Sequence, residues 1–169
     1  MRFGRFGLIP RLGTLAVLAM LLLARSPSPA QFPYSAPGRE SALSIPQTQV
    51  IQPEELSRLL KAKDAEKPLI LQVGSHVLFA ESHIKGAEYA GPGSQQAGLN
   101  LLQQRASMLS RKAPIVLYCG CCPWNRCPNL GPAFWQLHEM GFTRVKVLYL
   151  ADNFGADWVS KGYPVEQGE

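Results

Sequence analysis

Three short, mostly apolar runs punctuate the chain: Leu69-Ile70-Leu71-Gln72-Val73 with Gly74 after it, Ile115-Val116-Leu117-Tyr118, and Val145-Lys146-Val147-Leu148-Tyr149-Leu150. Near-continuous apolar character over four to six residues is the pattern of a strand covered on both faces of a parallel sheet. Helical patterns lie between these runs. Gln52-Pro53-Glu54-Glu55 opens one, with proline in the first turn and acids at the positive end of the dipole. Leu56, Leu59 and Leu60 form its apolar face, and the segment from Lys63 to Lys67 ends it. A second helix is predicted over 95–112, where Leu99, Leu102, Ala106 and Leu109 recur at helical spacing before Pro114. A third runs from Ala133 to Met140 with Phe134, Leu137 and Met140 inward and Gly141 as its stop, and a short one covers Asp157 to Lys161. Trp135 and Trp158 are expected in the core. Strands alternating with helices predict an α/β fold, an open and mostly parallel sheet with helices on both faces. Such sheets bind ligands beyond the carboxyl ends of their strands, and Cys119 stands at that edge.

The first thirty residues follow a different pattern. A basic start leads into Leu12 to Ala24, thirteen residues without charge, too short to span a bilayer comfortably. Ser28-Pro29-Ala30 supplies a small-x-small cleavage site, so residues 1–30 read as a signal peptide and the protein as exported, periplasmic or secreted, with no stable membrane span after cleavage. The next residues, 31–49, are rich in Pro, Ser and Gln and read as a flexible linker to a domain over 50–169. The formal charge of +5 loses its meaning in this light: Arg2, Arg5, Arg11 and Arg25 all fall in the leader, and without them 13 basic residues face 12 acidic ones. A nucleic-acid partner is therefore not expected.

All four cysteines, Cys119, Cys121, Cys122 and Cys127, lie within nine residues. Disulfides that staple a fold spread along the chain, so this cluster reads as local chemistry. Cys119 follows an apolar strand and precedes a loop into a helix, an arrangement in which loop amides and the helix's positive end converge on the sulfur and lower its pKa.

From Gln52 to Val165 the sequence resembles a single-domain rhodanese. The matching pieces are the strand Leu69 to Val73, the turn His83-Ile84-Lys85-Gly86-Ala87, the strand Ile115 to Tyr118 delivering Cys119, then Met140-Gly141-Phe142, Trp158 and Gly162-Tyr163-Pro164-Val165. The resemblance implies a rhodanese-like α/β fold and a sulfurtransferase in which Cys119 accepts a sulfane sulfur as a persulfide. It implies as partners a small anionic sulfur donor such as thiosulfate and a thiophilic acceptor, with no cofactor, acting as a monomer. Gly120, Cys121, Cys122, Trp124, Asn125 and Arg126 would surround the substrate, with Arg126 attracting the donor.

The chain departs from the family pattern in two places. Gln72 and Gly74 stand where the family usually has an aspartate and an arginine, and six residues rather than four separate Cys119 from Arg126. Cys121 keeps the usual spacing to Arg126, which nominates it as a second candidate nucleophile. The long loop leaves three other readings open: a Cu or Zn site on Cys119, Cys121, Cys122 and Cys127; a redox relay in which Cys121 or Cys122 resolves a persulfide; and structural disulfides bracing the loop. Asn125 and Asn129 are candidates to orient the loop or cap the next helix, and Trp124 either walls the sulfur site or packs beneath it. His83 reads as a structural hydrogen-bonder.

Overall fold

The structure, a computed structural model, describes residues 44–168. The signal peptide read at 1–30, its cleavage site and the linker as far as residue 43 lie outside the described residues. Residues 44–49, read as the end of that linker, belong to the folded domain. Ile45 is 2% exposed and joins the core, Trp135 Nε1 donates to Ser44 Oγ at 3.1 Å, and Gln47–Gln49 forms a 3-10 turn.

Twelve elements follow: β1 (Val50–Ile51), α1 (Pro53–Lys61), β2 (Leu69–Gln72), α2 (His76–Glu81), β3 (His83–Ile84), β4 (Ala87–Tyr89), α3 (Gln96–Ser107), β5 (Ile115–Tyr118), α4 (Leu130–Glu139), β6 (Val145–Leu148), α5 (Phe154–Asp157) and β7 (Val165–Glu166). The main sheet has the order β1-β6-β5-β2-β4 with every neighbouring pair parallel. A separate antiparallel ribbon pairs β3 with β7, His83 opposite Glu166 and Ile84 opposite Val165. The fold is thus the expected open α/β sheet, with β5 at its centre.

Alternation along the central strands divides the core into two layers. Leu71, Ile115, Leu117, Val145 and Val147 face Leu102 and Ala106 of α3 and Phe134 and Leu137 of α4. Ile70, Val116, Tyr118 and Leu148 face Leu56 of α1, Phe79 of α2 and the indole of Trp158. With apolar partners on both sides, the three central strands are apolar at all positions but Gln72 and Lys146, which is why these runs showed no regular alternation.

The helix limits differ from expectation for local reasons. The first stops at Lys61 because Lys67 reaches back to donate its ammonium to the carbonyls of Leu59, Leu60 and Ala62. The second stops at Ser107, where the Leu109 amide takes the Ala106 carbonyl three residues back and the chain turns toward Pro114. The helix expected over Asp157 to Lys161 is two pieces, α5 and a 3-10 turn at Val159–Lys161, and α5 begins earlier because Asn153 Oδ1 caps the Ala156 amide at 3.0 Å. Among the described residues no helix is long and apolar enough to cross a membrane.

Candidate functional site

β5 ends at Tyr118, and the next residue, Cys119, turns its side chain into the carboxyl edge of the sheet at 2% exposure. Two residues of β2 and its exit loop shape the space behind it. Gln72 is buried, donates its Nε2 to the Cys119 carbonyl at 3.2 Å and to the Ser75 carbonyl at 3.3 Å, and accepts the Gly74 amide at 3.1 Å through Oε1. Gly74 lies so close that a Cβ there would stand 2.6 Å from the Cys119 carbonyl oxygen and 3.0 Å from its sulfur. Separations that short are not tolerated by real side chains, so Gly74 is what admits Cys119 to this position. Gln72 and Gly74, which together make the first departure from the family pattern, are therefore a matched pair that seats the cysteine. Gly120, at φ +81, then reverses the chain and accepts the Phe154 amide on its carbonyl at 3.1 Å.

Beyond this turn the sulfurs gather. Cys119 Sγ lies 3.1 Å from Cys121 Sγ, which lies 3.2 Å from Cys122 Sγ. All four cysteines are free thiols: Cys119 and Cys127 are buried, Cys122 is half-buried and Cys121 is exposed. Asn129 reaches the cluster from the start of α4. Its Nδ2 donates to Cys119 Sγ at 3.2 Å and approaches Cys121 Sγ at 3.9 Å, while its Oδ1 accepts the Ser94 amide at 3.0 Å. The Ser94 bond fixes which end of the carboxamide faces the sulfurs. Of its two anticipated roles Asn129 fills the first: it orients the loop, and its side chain makes no cap bond to α4.

The electrostatics overturn the expectation of a lowered pKa at Cys119. The groups acting on its sulfur are the Cys121 thiol and amide, the Cys127 thiol and the Asn129 carboxamide, in place of a ring of main-chain amides. The Cys121 thiol draws the Cys119 pKa down, but the Cys127 thiol and burial together outweigh it and the value is pushed up to about 12. Cys121 is raised by the adjacent Cys119 thiol and by burial, and Cys122 by burial and then Cys121. Packed together, the thiols hold their protons because each would otherwise place its charge beside the next.

A cleft of about 350 Å³ opens in front of Cys119, walled by Gln72, Ser82, Asn153 and Phe154, with Gly120 and Cys121 on its rim. Glu81 is the one charged side chain among its described lining residues. Asn125 and Arg126 are exposed and do not line it, nor do Cys122 and Trp124. The physical reason lies in the longer loop: Trp124 is 7% exposed and packs on Tyr149 at 5.3 Å, its amide bonds the Leu150 carbonyl at 3.1 Å, and the 3-10 turn Trp124–Arg126 leaves Arg126 on the surface. Of the two anticipated fates of the tryptophan, packing beneath the loop is the one observed. His83 is likewise buried in the scaffold, its Nδ1 donating to the Phe79 carbonyl at 2.8 Å. The arrangement therefore unites Cys119, Cys121 and Cys122 with Asn129, Gln72 and Gly74. These three thiols are the ones close enough to share one metal ion, their sulfurs all lying within 4.8 Å of one another.

Comparison with known proteins is consistent with this architecture. A family model described as the rhodanese-like domain matches residues 52–150. Among solved structures, the rhodanese-like domain of the Alr3790 protein from Anabaena sp. is similar at 23% identity and a TM-score of 0.53, over 70% of this chain and 79% of that one. The BH2092 protein from Bacillus halodurans is similar at 24% identity and a TM-score of 0.54, over 70% and 76%. EanB, solved with a cysteine persulfide and ergothioneine, matches at 22% identity and a TM-score of 0.52, over 70% of this chain and 28% of that one. At these identities the likeness speaks for the fold. No curated protein matches the sequence.

Proposed function

The chain belongs to the rhodanese-like domain family, and from that premise we propose that it is a sulfurtransferase carrying sulfane sulfur as a persulfide on Cys119. The observation that carries the reading is the seat of Cys119: its sulfur ends the central strand at the base of a cleft, with a carboxamide donor directed at it and a glycine cleared of side chain behind it. Cys121 is the weaker candidate, since it sits exposed beyond the strand end, and the Asn129 carboxamide lies 3.9 Å from its sulfur against 3.2 Å from that of Cys119.

The cleft also bears on the donor. Glu81 in its wall and Arg126 outside it disfavour a dianion such as thiosulfate and favour sulfane sulfur borne on a thiol. The Cys119 thiol first loses its proton to solvent. The thiolate attacks the terminal sulfur of a persulfide RSSH, forming the enzyme persulfide and expelling RS⁻. An acceptor thiolate or cyanide then takes the terminal sulfur and returns Cys119 as thiolate. The Asn129 carboxamide N–H and the Cys121 amide stabilise negative charge on the sulfur in both forms.

Incubating the full chain with a low-molecular-weight persulfide should add one sulfur mass to the peptide at Cys119, releasable by cyanide as thiocyanate, and Cys119→Ser should abolish both. Faster loading from thiosulfate would remove the donor assignment, and a sulfur appearing on Cys121 would remove the nucleophile assignment. We place this activity outside the cytoplasm, on the strength of the leader pattern at 1–30. N-terminal sequencing of protein recovered from the exported fraction should begin near Gln31.

A further inference from the structure

We propose that Cys119, Cys121 and Cys122 form a three-coordinate thiolate site for Cu(I), which shares Cys119 with the persulfide chemistry, so that an occupied site blocks sulfur loading while metal-free protein remains able to load. The sulfurs sit at separations of 3.1 and 3.2 Å along the series, and all three lie within 4.8 Å of one another. Metal–thiolate bonds of about 2.3 Å around a trigonal ion hold sulfurs about 4 Å apart, inside the range these side chains already occupy. Small rotations of Cys121 and Cys122, on the open side of the loop, complete the triangle, while Cys119 stays fixed at the strand end. Gly120 makes the grouping possible, because its positive φ folds the chain so that residues 119, 121 and 122 all present sulfur to one point.

The identity of the ion follows from the donors. Three thiolates without imidazole or carboxylate are a soft set, suited to Cu(I) or Zn(II) and poorly suited to Mg(II), Ca(II) or Mn(II). Zn(II) in structural sites takes four ligands in a tetrahedron. Here no fourth His, Cys, Asp or Glu among the described residues lies within the same reach of all three sulfurs, and Asn129 presents Nδ2, a donor, its acceptor end committed to the Ser94 amide. A donor cannot ligate, but its hydrogen bonds to the Cys119 and Cys121 sulfurs steady the thiolates of a low-coordinate ion. Cys127 is buried beside Cys119 and Cys122 without joining the set of three. Exposed Cys121 provides the entry point, and buried Cys119 completes the set from the inner side. Binding changes no oxidation state: Cu⁺ replaces three thiol protons, which leave to solvent, and three S–H bonds give way to three Cu–S bonds.

The test is an anaerobic titration of the reduced full chain with Cu(I) against a chromophoric Cu(I) chelator, with X-ray absorption on the loaded protein. One Cu(I) per chain with three sulfur neighbours is expected, with affinity falling at least tenfold in Cys122→Ser and staying within about threefold in Cys127→Ser. Circular dichroism of both variants separates lost ligation from lost folding. The proposal is overturned if Cu(I) is surrendered equally by wild type and Cys122→Ser, if Cys127→Ser is as damaging as Cys122→Ser, or if Zn(II) is retained with four sulfurs. Sulfur loading of Cys119 measured on metal-free protein is unaffected by any of these results, so the two readings fail separately.

Discussion

The turn at His83 and the loop at Cys119 are equally buried, at 3% and 2% exposure, and each carries a titratable group, yet their surroundings differ in kind. Around His83 every partner belongs to the scaffold. Its Nδ1 is held by the Phe79 carbonyl, its ring stacks on Phe79 with centroids 3.8 Å apart, and Nε2 lies 3.4 Å from Glu166 across the β3–β7 ribbon. The next amide, of Ile84, donates to the Tyr118 hydroxyl at 3.2 Å. Around Cys119 the partners are largely other thiols, able to bond sulfur, bind metal or exchange protons. Tyr118 joins the two regions, with its hydroxyl on the histidine turn and its backbone continuing into the cysteine. Burial alone thus does not mark chemistry. What separates scaffold from reactive site is whether the buried group's partners are inert.

The comparison is broken most sharply by Cys119→Ser, which should abolish persulfide formation and, by removing the main cause of the raised Cys121 pKa, make Cys121 more reactive than in wild type. Alkylation followed by peptide mass analysis measures both. The next effect is in pH. With Cys119 pushed up to about 12, its thiolate fraction climbs about tenfold per pH unit through the neutral and mildly alkaline range, and its alkylation rate should climb with it. The sign for stability is opposite: folding favours the neutral thiol, so its contribution is intact below pH 9 and is lost as pH rises toward 12, seen as a falling denaturation midpoint.

Substitutions that act on packing follow. Gly74→Ala forces a Cβ against the Cys119 carbonyl and sulfur and should cost about 1–3 kcal/mol while also altering the Cys119 alkylation rate. His83→Ala should cost a similar ~1–3 kcal/mol by stranding the Phe79 carbonyl, but leave sulfur loading of Cys119 intact. A matched loss of loading would erase the distinction between the two regions. Smallest is Glu88→Gln. Arg105 holds the Glu88 carboxyl below its usual range through a two-bond contact, but that pair is solvent-screened, so denaturation should shift by less than about 1 kcal/mol.

The central strands were legible because burial on both faces makes them nearly continuously apolar, and the helices on Leu56, Leu102 and Leu137 because a single buried stripe repeats at helical spacing. The elements β1, β3, β4 and β7 have two or three residues each, too few for any period to appear, and α2 buries Phe79 while exposing Val77 and Leu78. At the site, Cys119 was legible from its place after a strand. Asn129 was legible as a loop-orienting residue but not as a partner of the Cys119 sulfur, and Gln72, arriving from 47 residues away, carried no local signature. Arg126 lies outside the cleft for a related reason: proximity in sequence does not fix its position once Trp124 packs into the core. The same folding of the two extra residues brought thiols where main-chain amides were anticipated, which reversed the direction of the Cys119 pKa.

That inward tryptophan gives the loop an optical gauge. Trp124 is clamped between Tyr149 and the end of β6, yet it is tethered by only two residues to the outermost of the three clustered sulfurs. Loading the cluster with sulfur or a heavy ion changes both the strain on that tether and the quenchers near the indole, whereas Trp158 sits in the opposite layer against Tyr163 and serves as an internal reference. With the third indole removed as Trp135→Phe, emission from the one, measured against the other, converts the chemical state of the loop into a signal readable without labels.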